Sequence, residues 1–251
     1  MDTLGISLFL LTALVGSYVQ SVTGFAMGMI MIAVMVGSGV VAVPVITAVV
    51  SLLSFVNILL AIRGHLHHVE RRLLLWLSLT LPVAVGSGVF LLGVLDRHLA
   101  WLLELLLGGF IVLGSLSMML RPQPRKTLSP PWACVTAGFA GGLLGGLFSA
   151  SGPVMGWFTY RQPLSVTAIR TTLLAAFAFT TSLRIGMVAL SGGLTGQVWQ
   201  IALLGLPLVL LGTWLGRSFV PPLSDVALKR VAFGVLLMMG AWMVVRSLLL
   251  S

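Results

Sequence analysis

The sequence predicts an all-α, polytopic integral membrane protein built from two inverted-topology repeats. Three observations predict it. The 251-residue chain is 59% hydrophobic and only 8% charged, with a mean hydropathy of +1.15. A soluble domain needs far more charge to cover its surface. Apolar stretches long enough to cross about 30 Å of hydrocarbon recur along nearly the whole length, leaving nothing for a soluble domain. The breaks between them recur at a fixed offset of 125 residues, as internal repeats do. A membrane β-barrel would show alternating short strands, and none are predicted.

Breaks in the apolar run predict ten helical elements. The first repeat (1–120) holds elements at 4–19, 25–37, 44–62, 73–94 and 98–120. The N-terminal stretch has Asp2 and no basic n-region, which argues against a cleaved signal peptide. The element 25–37 is too short to span as a straight helix, so it is strongly broken or part of a re-entrant hairpin. A polar linker, "RPQPRKTLSPP" (121–131), follows. Its prolines and cations end a helix and separate the halves. The second repeat (132–251) holds elements at 132–147, 152–160, 167–190, 197–217 and 227–249. Leu81-Pro82 recurs as Leu206-Pro207, and "QSVTG" (20–24) falls opposite "GGLFS" (145–149).

The formal charge of +9 does not indicate a nucleic-acid partner, because the cations sit in short loops, where they set membrane orientation. Placing "RGHLHHVERR" (63–72) in the cytoplasm puts Arg121, Arg125, Lys126, Arg161, Arg170, Arg217, Lys229 and Arg230 there too. The opposite face receives Asp2, Asp96, Arg97, Arg246 and "SGGLTGQ". Both termini then lie outside. Each half has an odd number of crossings, so the second is inverted relative to the first.

Two Gly-interrupted segments at matching positions, "QSVTGFAMG" (20–28) and "GGLFSASGP" (145–153), are candidate binding loops. Non-helical backbone at membrane depth is tolerated only where protein or a water-filled cavity covers it. Such interruptions in paired repeats point to a transport site. Helix N-termini with small residues offer unpaired N–H groups and a favourable dipole to an anion. Gln20, Ser21, Thr23, Gly24, Ser149, Ser151 and Gly152 are the candidate ligands. The competing reading is close helix packing, since "GFAMG" is also a GxxxG match.

Intramembrane ionisable residues default to function. Arg184 lies about six residues from the outer end of its element, as Glu104 does in another. Three roles are open to Arg184: contact with the substrate, outward snorkelling, or a structural pair with Glu104. Arg170 starts the same element and either recruits an anion at the inner mouth or only obeys the charge rule. Asn57 is a lone amide in an apolar helix, suited to helix–helix hydrogen bonding.

Cys134 is the single cysteine, which leaves no disulfide framework. The loop histidines 65, 67 and 68 lie among arginines at a spacing unlike zinc sites. No Walker motif appears, so ATP is not the direct energy source. No metal and no cofactor is expected, and the sequence specifies no oligomeric state. A serine hydrolase built on Ser149 or Ser151 would need a histidine at membrane depth, and all four histidines fall in loops or at a helix edge. A membrane partner subunit has no need of paired breaks.

The chain resembles the TauE/SafE (TSUP) family of sulfite and organosulfonate exporters. In the first half the resemblance rests on "QSVTGFAMGMIMIAV" and the run from "VVAVPVITAVV" to "LLGVLDRHL"; in the second, on "GFAGGLLGGLFSASGPVMGWF", "AIRTTLLAAFAFTTSLRIG" and "LPLVLLGTWLGRSF". It covers nearly the full length. Phe25 and Met27 stand where many members have glycine, and Ser149 and Ser151 enrich the second loop in hydroxyls. The resemblance implies a secondary transporter in a bacterial inner membrane. It would export a small anion by alternating access, with the lipid bilayer as its other partner.

Overall fold

The computed structural model describes residues 2–119, 124–219 and 225–250. Arg121 lies outside the described residues, as do the side chains of Lys229, Arg230 and Arg246. Within them the chain is helical: α1 (Thr3–Thr23), α2 (Met27–Gly37), α3 (Val43–Ile62), α4 (Arg71–Ser78), α5 (Leu81–His98), α6 (Ala100–Met119), α7 (Pro131–Phe148), α8 (Gly152–Tyr160), α9 (Val166–Leu190), α10 (Gly196–Ser218) and α11 (Asp225–Leu250), with one 3₁₀ turn at Leu66–His68. Seven of these helices are long and apolar enough to cross a membrane. With no charge to spare for a water-exposed coat, the chain is a multi-pass membrane protein.

Helix ends follow from local chemistry. Asp2 caps α1 by accepting from Gly5 N at 2.8 Å, Ser165 caps α9 and Thr195 caps α10, each satisfying an orphan N–H. Prolines occupy the first turns of α3, α5, α7 and α8, where no N–H is missed.

The expected element 73–94 is two helices. The chain breaks at Leu79–Thr80, immediately before Leu81-Pro82. Pro82 cannot donate back into a preceding turn, and its ring disfavours helical backbone before it. Thr80 Oγ1 instead donates to the Val135 carbonyl at 3.2 Å, tying the break to α7. Pro207, at the matching position, stays inside a continuous α10. Eleven helices therefore replace the ten expected elements.

The short elements are halves of hairpins. A Cβ on Gly5 would stand 2.7 Å from Val40 Cγ1, so α1–α2 brings the chain back to the end where it began. The Arg125 amide donates to the Arg161 carbonyl at 2.8 Å and Ser129 N to Gln162 Oε1 at 2.9 Å, so α7–α8 does the same. At 11 and 9 residues, α2 and α8 are too short to span. Nearly all of α2 is buried.

Element starts recur at the 125-residue offset: 27 and 152, 71 and 196, 100 and 225. Packing partners recur likewise. As α1 lies along α10, α7 lies along α5; as α3 packs on α10, α9 packs on α4 and α5; α3 packs on α9 and α6 on α11. The core sits where the two hairpin tips meet α3 and α9.

Candidate functional site

Both tips turn through left-handed backbone. Gly24, the C-cap of α1, has φ 87°, and Ser149, the C-cap of α7, has φ 53°. These positions lie 125 residues apart. Gly24 adopts that conformation without steric penalty, whereas Ser149 is held in it at a cost in backbone strain. Ala26 also carries a positive φ of 99° at the start of α2. An alanine held there stores backbone strain. The tips touch closely, because a Cβ on Gly28 would come within 2.5 Å of the Ser149 carbonyl. Only glycine allows that approach.

A cavity of about 30 Å³ lies between the tips, about one water molecule's share of liquid volume. Gln20, Ala26, Gly28 and Met29 line it from the first hairpin and its flanks, and Ser149, Ser151 and Gly152 from the second. The N-terminal turns of α2 and α8 both border it. Ser54 of α3, and Thr180, Thr181 and Arg184 of α9, complete the wall.

Arg184 is the largest fully buried side chain, 1% exposed. Its Nε donates to the Gly146 carbonyl at 2.9 Å. Its Nη1 donates to the Thr47 carbonyl at 2.9 Å and to Ser51 Oγ at 2.7 Å. Nη2 has no partner among the described residues. A guanidinium has five N–H donors, so two remain without a protein acceptor on a buried charge. Leaving them unmet is costly. The residue therefore neither snorkels outward nor pairs with Glu104. The tip of α7–α8 rises to meet α9 at that depth and supplies the Gly146 carbonyl, as α3 supplies that of Thr47, in place of a carboxylate.

Ser51 Oγ lies 3.0 Å from Ser149 Oγ and 2.8 Å from the Thr47 carbonyl. Its single proton serves one of the two. The hydroxyls of Ser151 and Ser54 carry no protein hydrogen bond among the described residues and face the cavity. Ser151 Oγ sits against Gly145, where a Cβ would collide with it.

The first tip is spent on the protein itself. Gln20 Nε2 donates to Asn57 Oδ1 at 2.8 Å, and Gln20 Oε1 accepts from Met27 N at 3.2 Å. Asn57 Nδ2 reaches Thr213 Oγ1 at 2.7 Å, Ser21 Oγ at 3.0 Å and the Ser17 carbonyl at 3.1 Å. Asn57 thus joins α1, α3 and α10, the helix–helix role its sequence context indicates. Thr23 Oγ1 stays with the Val19 and Phe25 carbonyls.

The structure therefore brings Gln20, Ser149, Ser151, Gly152 and Arg184 onto one cavity and leaves Ser21, Thr23 and Gly24 behind its wall. Arg170 packs against Gly24 and lines a separate polar cavity of about 380 Å³ with His65, Thr167 and Arg217. Ser51, Ser54, Thr180 and Thr181 belong to the constellation and were not anticipated. For Ser51 and Ser54 the signal is the stripe Thr47, Ser51, Ser54 and Asn57, at spacings of four, three and three, on one face of α3. None of the four histidines lines the cavity and all are exposed, so Ser149 and Ser151 have no general base.

The profile of the family described as sulfite exporter TauE/SafE matches residues 8–243. A protein of Cupriavidus necator named "Probable sulfite/organosulfonate exporter TauE" is 39% identical over 226 residues, covering 90% of this chain and 88% of its own length. No solved structure matches the chain. The chain belongs to the TauE/SafE family.

Proposed function

We propose that this TauE/SafE member is a secondary transporter, not an enzyme, that exports a small anion, sulfite or an organosulfonate, through the cavity between the hairpin tips. The observation that carries this reading is Arg184. It is a permanent cation with two unclaimed N–H groups, set beside a free serine hydroxyl and the starts of α2 and α8. An oxyanion entering there takes the Nη2 protons, the Ser151 hydroxyl and the helix-start N–H groups that the protein leaves free, Met27 N being held by Gln20, a charge-assisted set. When Ser51 turns its proton from Thr47 to Ser149, the Ser149 proton is released toward the ligand. The substrate class is carried over from the Cupriavidus necator relative, whose printed name supplies it.

The recurrence of elements and packing partners at one offset supports inverted repeats, 1–120 and 132–251, joined by a cytoplasmic linker. Hairpins that return to their starting ends keep an odd number of crossings in each half. With the cation-rich loops in the cytoplasm, both termini face outward across a bacterial inner membrane. A cavity of about 30 Å³ where the two hairpin tips meet is the centre that alternating access would open to each side in turn.

Radiolabelled sulfite flux in proteoliposomes of purified protein, with a panel of unlabelled sulfonates as competitors, tests the reading. Saturable flux, inhibited by a sulfonate and lost in Ser151→Leu, is the expected result. Flux that survives Ser151→Leu moves the site off the second tip, and no flux of any tested anion sinks the substrate class.

A further inference from the structure

A second feature lies on the membrane-facing side of the same hairpin. A groove of about 990 Å³ runs between α6, α7 and α8. Its walls are almost wholly apolar, from Leu106 and Leu113 on α6 to Val154 on α8. At one end stand Arg125 and Arg161, and no acidic residue among the described residues lines it. Arg161 stacks over the Trp157 ring with its guanidinium carbon 4.5 Å from the centroid, and its backbone is pinned to that of Arg125. Trp132, 70% exposed, stands at the same end. Exposed tryptophan beside arginine at the end of apolar helices marks the level of lipid headgroups.

At the first hairpin α2 is covered by both α11 and α6. The outer face of α8 is left open. We infer that this groove binds one anionic phospholipid, its phosphate at Arg125 and Arg161 and an acyl chain laid along α8 toward Phe148 and Pro153. Charge complementarity selects the occupant: an apolar trough closed by two cations fits an amphiphile with a negative head, and basic pockets between membrane helices bind such heads. A second copy of this chain would have to bring its own acidic group to that end. The far end of the trough matters for the opening of the cavity. Phe148 and Pro153 line the groove and flank Ser149–Gly152, which lines the central cavity. The lipid chain would therefore brace the outside of the turn that carries Ser149 and Ser151.

The test uses the purified full chain in detergent, with native mass spectrometry to count retained lipid and thermal unfolding to measure stability. Phosphatidylglycerol and phosphatidylcholine of identical acyl chains are the probes, so the outcome does not depend on transport. Wild type is expected to retain phosphatidylglycerol in preference to phosphatidylcholine and to unfold at higher temperature with it. Arg125→Gln with Arg161→Gln lowers that retention about thirtyfold, about fivefold for each cation, while the unfolding temperature in lipid-free detergent falls by no more than about 4 °C for the lost stacking on Trp157. Gly109 lines the groove, and a Cβ there would meet nothing within 4 Å. Gly109→Leu therefore fills the trough without touching either arginine and displaces the lipid as well. Any of four results overturns the proposal: equal retention of the two lipids, retention unchanged in the double variant, retention unchanged in Gly109→Leu, or displacement by equimolar inorganic phosphate. A lipid-free dimer would overturn it in favour of a second copy on this face.

Discussion

The two hairpin tips are the same backbone device put to opposite uses. Gly24 and Ser149 close α1 and α7 in the same left-handed conformation, 125 residues apart. At the first tip every polar side chain is answered from within. Gln20 and Ser21 meet Asn57, and Thr23 meets its own helix. At the second tip Ser151 is left unanswered and Arg184 keeps two N–H groups in reserve. The offset explains the divergence. The position opposite Asn57 is the exposed Ser182, and the position opposite Arg184 is the exposed Leu59. Each half owns one buried polar anchor that the other lacks: Asn57 joins helices, and Arg184 is the one proposed to meet a ligand. Paired breaks of chain thus locate a centre, and the partners waiting in neighbouring helices decide what each break does.

That contrast is broken most severely at Arg184. Arg184→Gln removes the charge and should cut sulfite flux about hundredfold, since a lost charged contact costs up to about 3 kcal/mol. Flux near wild type in folded protein would end the claim that the second tip holds the ligand. Asn57→Leu strikes the other anchor. It orphans groups on three helices and should lower the unfolding temperature by about 6–12 °C for about 3 kcal/mol. The KM of the surviving transporter should stay within about twofold of wild type; a large KM change would make the first tip a ligand site too. Ser151→Ala is subtler. Loss of one hydroxyl contact should raise KM about threefold to tenfold, with little change in maximal flux or stability. Thr23→Val, the mildest, should cost about 1 kcal/mol of stability and leave KM unmoved, as measured by the same flux assay.

Much of this architecture is legible in the sequence, because hydropathy and Gly/Pro punctuation act locally. The short elements, the offset and the cation-rich loops need no tertiary knowledge. The break at Leu79–Thr80 is harder to see. The same Leu-Pro pair interrupts one half and is tolerated in the other, and the difference lies in Thr80 reaching across to Val135 on α7. The surroundings of Arg184 are harder still to read. Counting residues to the helix end puts it in the outer third of the bilayer, within reach of Glu104, and leaves contact with the substrate as one of three open roles. Depth in this fold depends on how far the α7–α8 tip climbs, and Gly146 and Ser149 climb to it. Gln20 shows the converse. Its position in the break is readable, but its commitment to Asn57, 37 residues away, is a fact of packing.

The narrowness of the central cavity has a consequence for the cell as a whole. A permanently open passage wide enough for an oxyanion would also carry a continuous file of water, and protons would leak along it and discharge the membrane. A cavity of only about 30 Å³ leaves little room for such a file. Under the proposed alternating access the resting protein is then an insulator, and each ion that passes waits for packed helices to rearrange. Motions of that kind take microseconds to milliseconds, so throughput is capped at roughly 10³–10⁶ ions per second. Electrical tightness at rest is obtained at the expense of speed.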